Sequence, residues 1–276
     1  MFAEITPLTE GYLPGNSSFV STHVNFNTMK RRLIAICFTF CLIGGQEGFA
    51  QRPNGPNYSI QLGGQFRFLR PIGMNYAIGE FNQRNADWTT PLNDIRWTTG
   101  GALALAVHRG RSEIRIQSQT FAASTFGTGP DSSGTVVRRD VKLNGMTYQL
   151  GISSNLIEIN RNLSFGVGGT FSINRILLRT EAVPQADFIE GSLLPVAQTF
   201  VKPSLNLIAP INIGLGPWLG LKIEPTYQVF FAPSNYSDFS QAINGNALSA
   251  NDPSLETEAD HFGLTISLIG YLRRRY

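Results

Sequence analysis

Charged residues are scarce in this sequence, at 15% of 276 residues, whereas an ordinary soluble domain contains roughly 25%. Cysteine is scarcer still, because Cys37 and Cys41 are the only two. Their absence elsewhere excludes a disulfide framework or a thiolate metal site in the remaining chain. The net charge of +3 is too small and too dispersed to indicate nucleic-acid binding. With 42% hydrophobic residues, the chain is nevertheless too apolar to be disordered.

The sequence also lacks an apolar run of the roughly 20 residues that a membrane-spanning helix needs. A shorter apolar run, residues 33–43, follows the basic residues 30–32 and precedes the small residues Gly48 and Ala50. This order is typical of a secretory signal peptide and its cleavage site. A long cytoplasmic leader before the apolar run is the alternative. We predict three segments: an upstream extension from a misplaced start codon (1–28), a signal peptide (29–50) and a mature domain (51–276).

Helical periodicity is missing from the mature domain, and apolar residues instead alternate with polar ones from end to end. In residues 218–231, for example, Leu219, Leu221 and Ile223 alternate with Gly220, Lys222 and Glu224. Each such run predicts a strand. The fourth run is unusually long, which predicts a bend or a slip in phase near Ser153–Asn155. The eight predicted strands are 57–70, 96–107, 112–126, 136–159, 163–178, 199–213, 218–231 and 260–276.

The connections between these strands alternate between two kinds. Three are tight turns, at 108–111, 160–162 and 214–217, and four are long or polar segments, at 71–95, 127–135, 179–198 and 232–259. In an antiparallel up-and-down sheet, alternate connections lie at the same end. All short turns are therefore expected at one end and all long loops at the other, which is typical of outer-membrane β-barrels.

Alternation alone does not show which face of a barrel is outside. A secreted, lipocalin-like barrel would turn its apolar face inward around an apolar ligand. The polar faces here are rich in Gly, Ser, Thr, Gln and Asn, which suits a narrow interior better than a solvated surface. Aromatic residues also gather near the strand ends, where membrane barrels place their girdles. At the long-loop end these are Phe68, Trp97, Phe126, Phe200, Tyr227, Phe231 and Phe262, and at the short-turn end Tyr58, Trp218 and Tyr276.

The last strand ends on an aromatic residue after an apolar series of one parity. The series is Phe262, Leu264, Ile266, Leu268, Leu272 and Tyr276. It resembles the C-terminal strand that the assembly machinery of bacterial outer-membrane barrels recognises, although that family usually ends on Phe. With the signal peptide, it makes the mature chain similar to small eight-stranded outer-membrane barrels of Gram-negative bacteria, including a group common in Bacteroidota.

The resemblance implies a closed, all-β, antiparallel transmembrane barrel with both termini in the periplasm. It implies outer-membrane lipid, lipopolysaccharide and the barrel assembly machinery as partners. It further implies a role exerted by the extracellular loops or within an envelope or secretion complex. Roles vary widely on this scaffold, so the fold does not fix the function.

Charged residues on the polar faces are candidates for an ion-pair network in the lumen. Eight strands leave a lumen that side chains fill, and buried charges there must be paired. This favours a closed lumen over a diffusive pore. The candidates are Arg67, Glu113, Arg115, Lys222 and Glu224, with Arg175 as a further one.

Evidence for catalysis or metal binding is weak in the sequence, and we predict neither a cofactor nor a catalytic site. His108 falls in a turn that is expected to be solvated. His261 is expected near the mouth, where it resembles the histidine of outer-membrane lipid hydrolases, but Gly263 replaces their serine two residues on. An acidic segment could hold Ca²⁺ or bridge lipopolysaccharide through divalent cations, although its spacing matches no loop motif. Its acidic residues are Asp238, Asp252, Glu256, Glu258 and Asp260.

Overall fold

The computed structural model describes residues 57–69, 71–160, 162–190, 193–245, 252–257 and 261–272. The predicted extension (1–28) and signal peptide (29–50) lie outside the described residues, and so do Glu258, Asp260 and Tyr276.

Eleven strands are present in the described residues, and nine of them form one antiparallel sheet that closes on itself. The last long strand, His261–Tyr271, pairs with the first on one side and with the strand Leu219–Phe230 on the other. The strands are β1 (Asn57–Phe68), β2 (Trp97–Arg109), β3 (Ser112–Pro130), β4 (Val136–Asn160), β5 (Leu163–Pro184), β6 (Val196–Ile208), β7 (Ile211–Gly214), β8 (Leu219–Phe230), β9 (Ser234–Asn235), β10 (Glu256–Thr257) and β11 (His261–Tyr271).

The ring contains eight strand positions, because β6 and β7 share one of them. Both pair with β5 on one side and with β8 on the other. The break between them coincides with Pro210, which has no N–H to donate to a neighbouring strand. The prediction of an up-and-down barrel of eight strands is therefore confirmed, with its sixth strand interrupted.

The predicted irregularity of the long fourth strand is also confirmed. Its register against β5 shifts between Asn155 and Ile157, and again between Glu158 and Asn160. Each shift is a β-bulge, which bends the strand and increases its local twist.

The two faces of the barrel wall differ sharply in chemistry. Outward side chains are apolar and exposed; Leu62, for example, is 67% accessible. Inward side chains are polar and buried, and Asn174 on β5 is 0% accessible. The lumen therefore contains the polar residues, as the composition of the polar faces predicts.

The prediction that long and short connections alternate without exception is wrong at the second long connection. β3 continues to Pro130 and β4 begins at Val136, so that residues 131–135 form a short hairpin. Asp131 closes it, since its Oδ1 accepts hydrogen bonds from the backbone N–H groups of Ser133 (2.8 Å) and Thr135 (3.0 Å). β5 likewise extends to Pro184, so β3 and β5 continue beyond their predicted ends, whereas β4 begins at Val136 as predicted.

Two helices in the long loops were not predicted. They are α1 (Ile72–Arg84), between β1 and β2, and α2 (Ser237–Asn244), between β8 and β11. In the described part of the chain, neither helix is long and apolar enough to cross a membrane. Together with the 3-10 turn 253–255, they form what we call the mouth plug.

The mouth plug packs into the barrel at its long-loop end. Met74, Ile78 and Phe81 of α1 belong to one buried apolar cluster with Phe239 of α2 and Leu255 of the turn. The wall contributes inward side chains to the same cluster, namely Phe121, Val141, Leu143, Leu178 and Phe200. Phe200 is therefore an interior residue, and its predicted place in an aromatic girdle is wrong.

Two isoleucines on α1 allow a matched test of this packing. Ile78 is 0% accessible and Ile72 is 62% accessible. We expect Ile78→Ala to lower the free energy of unfolding by about 2–5 kcal/mol, because it leaves a cavity in a buried cluster. Ile72→Ala is expected to change it by less than about 0.5 kcal/mol.

Urea unfolding of the refolded protein in detergent would measure both changes. Tryptophan fluorescence is a suitable signal if Trp97 and Trp218 are replaced by Phe, because Trp88 packs edge-on against Phe81 at 4.9 Å. Equal effects of the two substitutions would show that α1 does not pack in the lumen.

Candidate functional site

Four charged side chains meet across the lumen and form what we call the charge cluster. Glu113 and Arg115 lie on β3, and Lys222 and Glu224 lie on β8, at the third and seventh positions of the ring, so they face each other across the lumen. Arg115 Nη1 and Nη2 donate to the two carboxylate oxygens of Glu224, each at 2.5 Å. Lys222 Nζ lies 2.5 Å from Glu113 Oε1.

Cations and carboxylates alternate in the charge cluster, and their attraction offsets the desolvation cost of burying four charges. Arg115 lies 3.8 Å from Glu113, and Lys222 lies 3.8 Å from Glu224, so each cation contacts both carboxylates. Charged groups in a low-dielectric interior are tolerated only when paired and hydrogen-bonded, and a bidentate arginine–carboxylate contact is among the stronger pairs. The cluster thus links opposite walls and fills the lumen at its level.

His108 lies beside the charge cluster, although the sequence predicted it in a solvated turn. It is the penultimate residue of β2 and points inward, with its Nδ1 3.7 Å from Glu113 Oε2. Its Nε2 lies 2.7 Å from Ser59 Oγ, and its ring packs against Tyr271. The expectation of a solvated turn residue is therefore wrong, because β2 extends to Arg109 and leaves the side chain partly enclosed.

Arg67 lies inside the lumen but apart from the charge cluster. Its guanidinium donates to the side-chain oxygens of Gln65 (3.2 Å), Thr147 (3.2 Å) and Gln119. It also stacks over the ring of Phe121, 4.4 Å from the ring centroid. Among the described residues, no carboxylate lies within ion-pair distance of Arg67, so the structure does not place it in the ion-pair network predicted for it. Arg175 faces outward and is exposed.

Amide side chains fill the middle of the lumen between the charge cluster and the mouth plug. Gln149 Nε2 donates to Gln119 Oε1 at 3.0 Å. Gln228 Nε2 donates to Asn174 Oδ1 at 2.9 Å and to Ser204 Oγ at 2.7 Å. These residues come from β3, β4, β5, β6 and β8, so the network connects much of the barrel wall.

His261 begins β11 near the mouth, as predicted, but it faces the lumen. It is 6% accessible, and its ring meets that of Phe230 edge-on at 5.1 Å. The resemblance to lipid hydrolases requires a histidine that faces the bilayer. The inward position of His261 does not provide that geometry.

The three described acidic residues of the last long loop serve separate local contacts. Asp238 lies in the first turn of α2, and Glu256 lies in β10. Asp252 accepts from the backbone N–H of Ser254 at 2.9 Å and from the hydroxyl of Tyr76 at 3.3 Å. The hydrogen bonds from Ser254 lower the pKa of Asp252. No group of potential metal ligands occurs within the described ranges.

The described members of the predicted assembly signal lie on one face of the barrel. Phe262, Leu264, Ile266 and Leu268 alternate along β11 with inward Thr265 and Ser267. Leu272 follows β11, where its backbone N–H donates to Tyr58 O at 2.9 Å. Recognition of this strand by assembly machinery remains a prediction.

The mouth plug is the main part of the site that the alternating pattern did not reveal. One signal was available in Met74, Ala77, Ile78 and Phe81, whose spacing of three or four residues places them on one side of a helix. The strand residues that receive the plug gave no such signal, because they share the parity of the polar lumen residues below them.

Removing one partner of the charge cluster tests whether its pairing is needed. We expect Lys222→Met to destabilise the barrel by about 3–5 kcal/mol, because it leaves the buried carboxylate of Glu113 without its closest cation. A second substitution, Glu113→Gln, should restore most of that loss. Lys142→Met, which removes an outward lysine, is the control. Urea unfolding in detergent measures five proteins: the native protein, Lys222→Met, Glu113→Gln, the double variant and the control. An additive double variant would contradict the pairing.

The mouth plug should loosen at high pH through Tyr236. Burial raises the pKa of Tyr236 to about 12, and its ring packs against Phe200. Because the folded pKa lies above the ordinary value of 10.0, the stabilisation is complete below about pH 10 and is lost as the pH rises toward about 12. Unfolding measured across this range should show a steeper fall in the native protein than in Tyr236→Phe. Exposed Tyr148→Phe should keep the native profile, and identical profiles for all three would contradict the assignment.

Comparisons with known proteins identify no family for this chain. No protein-family model matches it, and no curated protein matches it. Among solved structures, Neisserial surface protein A is similar at 9% identity and a TM-score of 0.42, over 79% of this chain and 99% of that chain. The attachment invasion locus protein Ail of Yersinia pestis is similar at 10% identity and a TM-score of 0.37, over 79% and 99%. The outer membrane protease OmpT of Escherichia coli is similar at 12% identity and a TM-score of 0.36, over 82% and 100%. Similarity at this level assigns neither a family nor an activity.

Proposed function

We propose that this chain is an integral outer-membrane barrel with a closed lumen, and that its role is non-enzymatic. One observation carries the proposal: the barrel is apolar outside and polar inside. Water would penalise an exposed apolar wall of this extent, whereas hydrocarbon accepts it. The polar and ionised interior also provides no apolar cavity for a lipocalin-like ligand at the level of the charge cluster.

The positions of exposed aromatic side chains support this placement. Trp97, Phe231 and Phe262 are exposed on the outer wall toward the long-loop end, and Tyr58 and Trp218 are exposed toward the short-turn end. Two such belts are expected where a barrel wall meets the two layers of lipid headgroups. The proposal places the short turns and both chain termini in the periplasm.

Basic side chains on the outer wall favour lipopolysaccharide as a lipid partner at the long-loop end. Lys142 and Arg179 are directly opposed on β4 and β5, which is unfavourable for like charges. Arg175 lies nearer the apolar wall, opposite Val201. Asp140 and Glu181 form the next outward rung, but Asp140 is already paired with Arg138, so this face keeps an excess positive charge. Anionic headgroups of the outer leaflet would neutralise it.

The mouth plug supports a role at the long-loop end rather than transport. Two helices pack their apolar faces into the mouth, and the charge cluster spans the lumen below them, which supports a closed lumen. We propose that the ordered loops serve a protein partner within an envelope or secretion complex.

Refolding the mature chain tests this proposal. The protein should need detergent or lipid for solubility, migrate differently in gels before and after heating, and give no ion conductance in planar bilayers. A protein that folds fully in detergent-free buffer would contradict membrane insertion, and steady conductance would contradict the closed lumen.

A lipid-modifying activity is the alternative that requires a separate assay. Incubation of the reconstituted protein with phospholipid or lipid A vesicles should release no product. If product appears and His261→Ala abolishes it while Tyr148→Phe does not, the non-enzymatic proposal is wrong.

A further inference from the structure

One buried cation in the lumen is not balanced by a carboxylate. Among the described residues, the most deeply buried charged groups of the lumen are the cations of Arg67, Arg115 and Lys222 and the carboxylates of Glu113 and Glu224. Both carboxylates are engaged by Arg115 and Lys222 in the charge cluster. Arg67, at 5% accessible, is thus left with neutral hydrogen-bond partners.

Such a charge is expensive to bury, and an arginine cannot relieve the cost by losing its proton. Guanidinium groups stay protonated in proteins, and a buried charge without an opposite charge is strongly unfavourable. The oxygens of Gln65, Gln119 and Thr147 provide partial compensation only. An opposite charge near Arg67 would remove the remaining cost.

A small cleft lies directly against Arg67 on the mouth side of the charge cluster. Its lining includes Gln149, Gln228, Thr265 and His261, and it contains no carboxylate. Its volume is about 10 Å³, which corresponds to a single water-sized molecule. This volume favours a small monatomic ligand over phosphate, sulfate and organic acids.

The guanidinium retains donors that can serve a ligand in this cleft. Its hydrogen bonds to described residues use Nε and Nη2. The N–H groups of Nη1 are left to donate to a ligand in the cleft. Donors of this kind around one cation select a negatively charged ligand.

We propose that the cleft beside Arg67 binds one small monatomic anion of the size and charge of chloride. The anion neutralises the guanidinium of Arg67. The cleft is also lined by residues of β8 and β11, which lie next to β1 in the ring, whereas the direct contacts of Arg67 reach β3 and β4.

Chloride-dependent stability of the refolded, reconstituted barrel tests the proposal. Unfolding is compared in sodium chloride and in sodium gluconate at equal ionic strength, because gluconate is too large for the cleft. At chloride about tenfold above its dissociation constant, the ratio of folded to unfolded protein should rise about tenfold. Arg67→Gln should abolish the rise, and Arg175→Gln, which removes an exposed outward arginine, should retain it. A native protein insensitive to chloride, or an equal response in Arg67→Gln, would overturn the proposal.

Bromide soaked into crystals of the native protein gives a second measurement that does not depend on the variant folding. The proposal requires an anomalous bromide peak within about 3.5 Å of the Arg67 guanidinium, the distance of an anion hydrogen-bonded to N–H groups. Bromide peaks confined to the protein surface would show that the cleft contains only water, and the proposal would be wrong.

Discussion

The pairing of β11 with both β1 and β8 is the constraint on which the rest of the structure depends. An open sheet would leave a row of N–H and C=O groups without partners, which hydrocarbon does not tolerate. Closure with eight strands produces a lumen narrow enough for side chains to fill. Every second residue must then fit that lumen, and every other residue faces outward. The alternation along the strands is the consequence.

The narrow lumen explains why its charges are arranged as they are. Glu113 and Arg115 project from one wall and meet Lys222 and Glu224 from the wall opposite, and four charges at this distance are tolerable only with alternating sign. Above them the interior changes character. From Phe121 on β3, and at the same level on β4 and β5, the inward side chains are apolar. The mouth plug packs its own apolar side chains against them. The same wall thus holds an ionic layer and an apolar layer.

Strand parity explains both what was predictable and what was not. The parity of β8 and β11 placed Lys222 and Glu224 inside and Phe262 and Leu268 outside, because a period of two distinguishes faces. Parity does not specify height along the barrel or which walls face each other. Arg67 was therefore grouped with the charges, although it lies among glutamines. Parity also gives no sign that inward residues change from polar to apolar toward the mouth. The packing of α1 against them was therefore not predicted, and its residues were assigned to a loop.

Accessibility of spin labels along β5 tests the inside-out arrangement most directly. The mature domain predicted from the sequence contains no cysteine, so single cysteines at positions 170 to 174 can each be labelled. In reconstituted protein, labels at Phe171 and Ile173 should be accessible to oxygen dissolved in the lipid. Labels at Thr170, Ser172 and Asn174 should be shielded from it. The reverse parity, or equal accessibility at all five positions, would contradict a barrel with its apolar wall in the membrane.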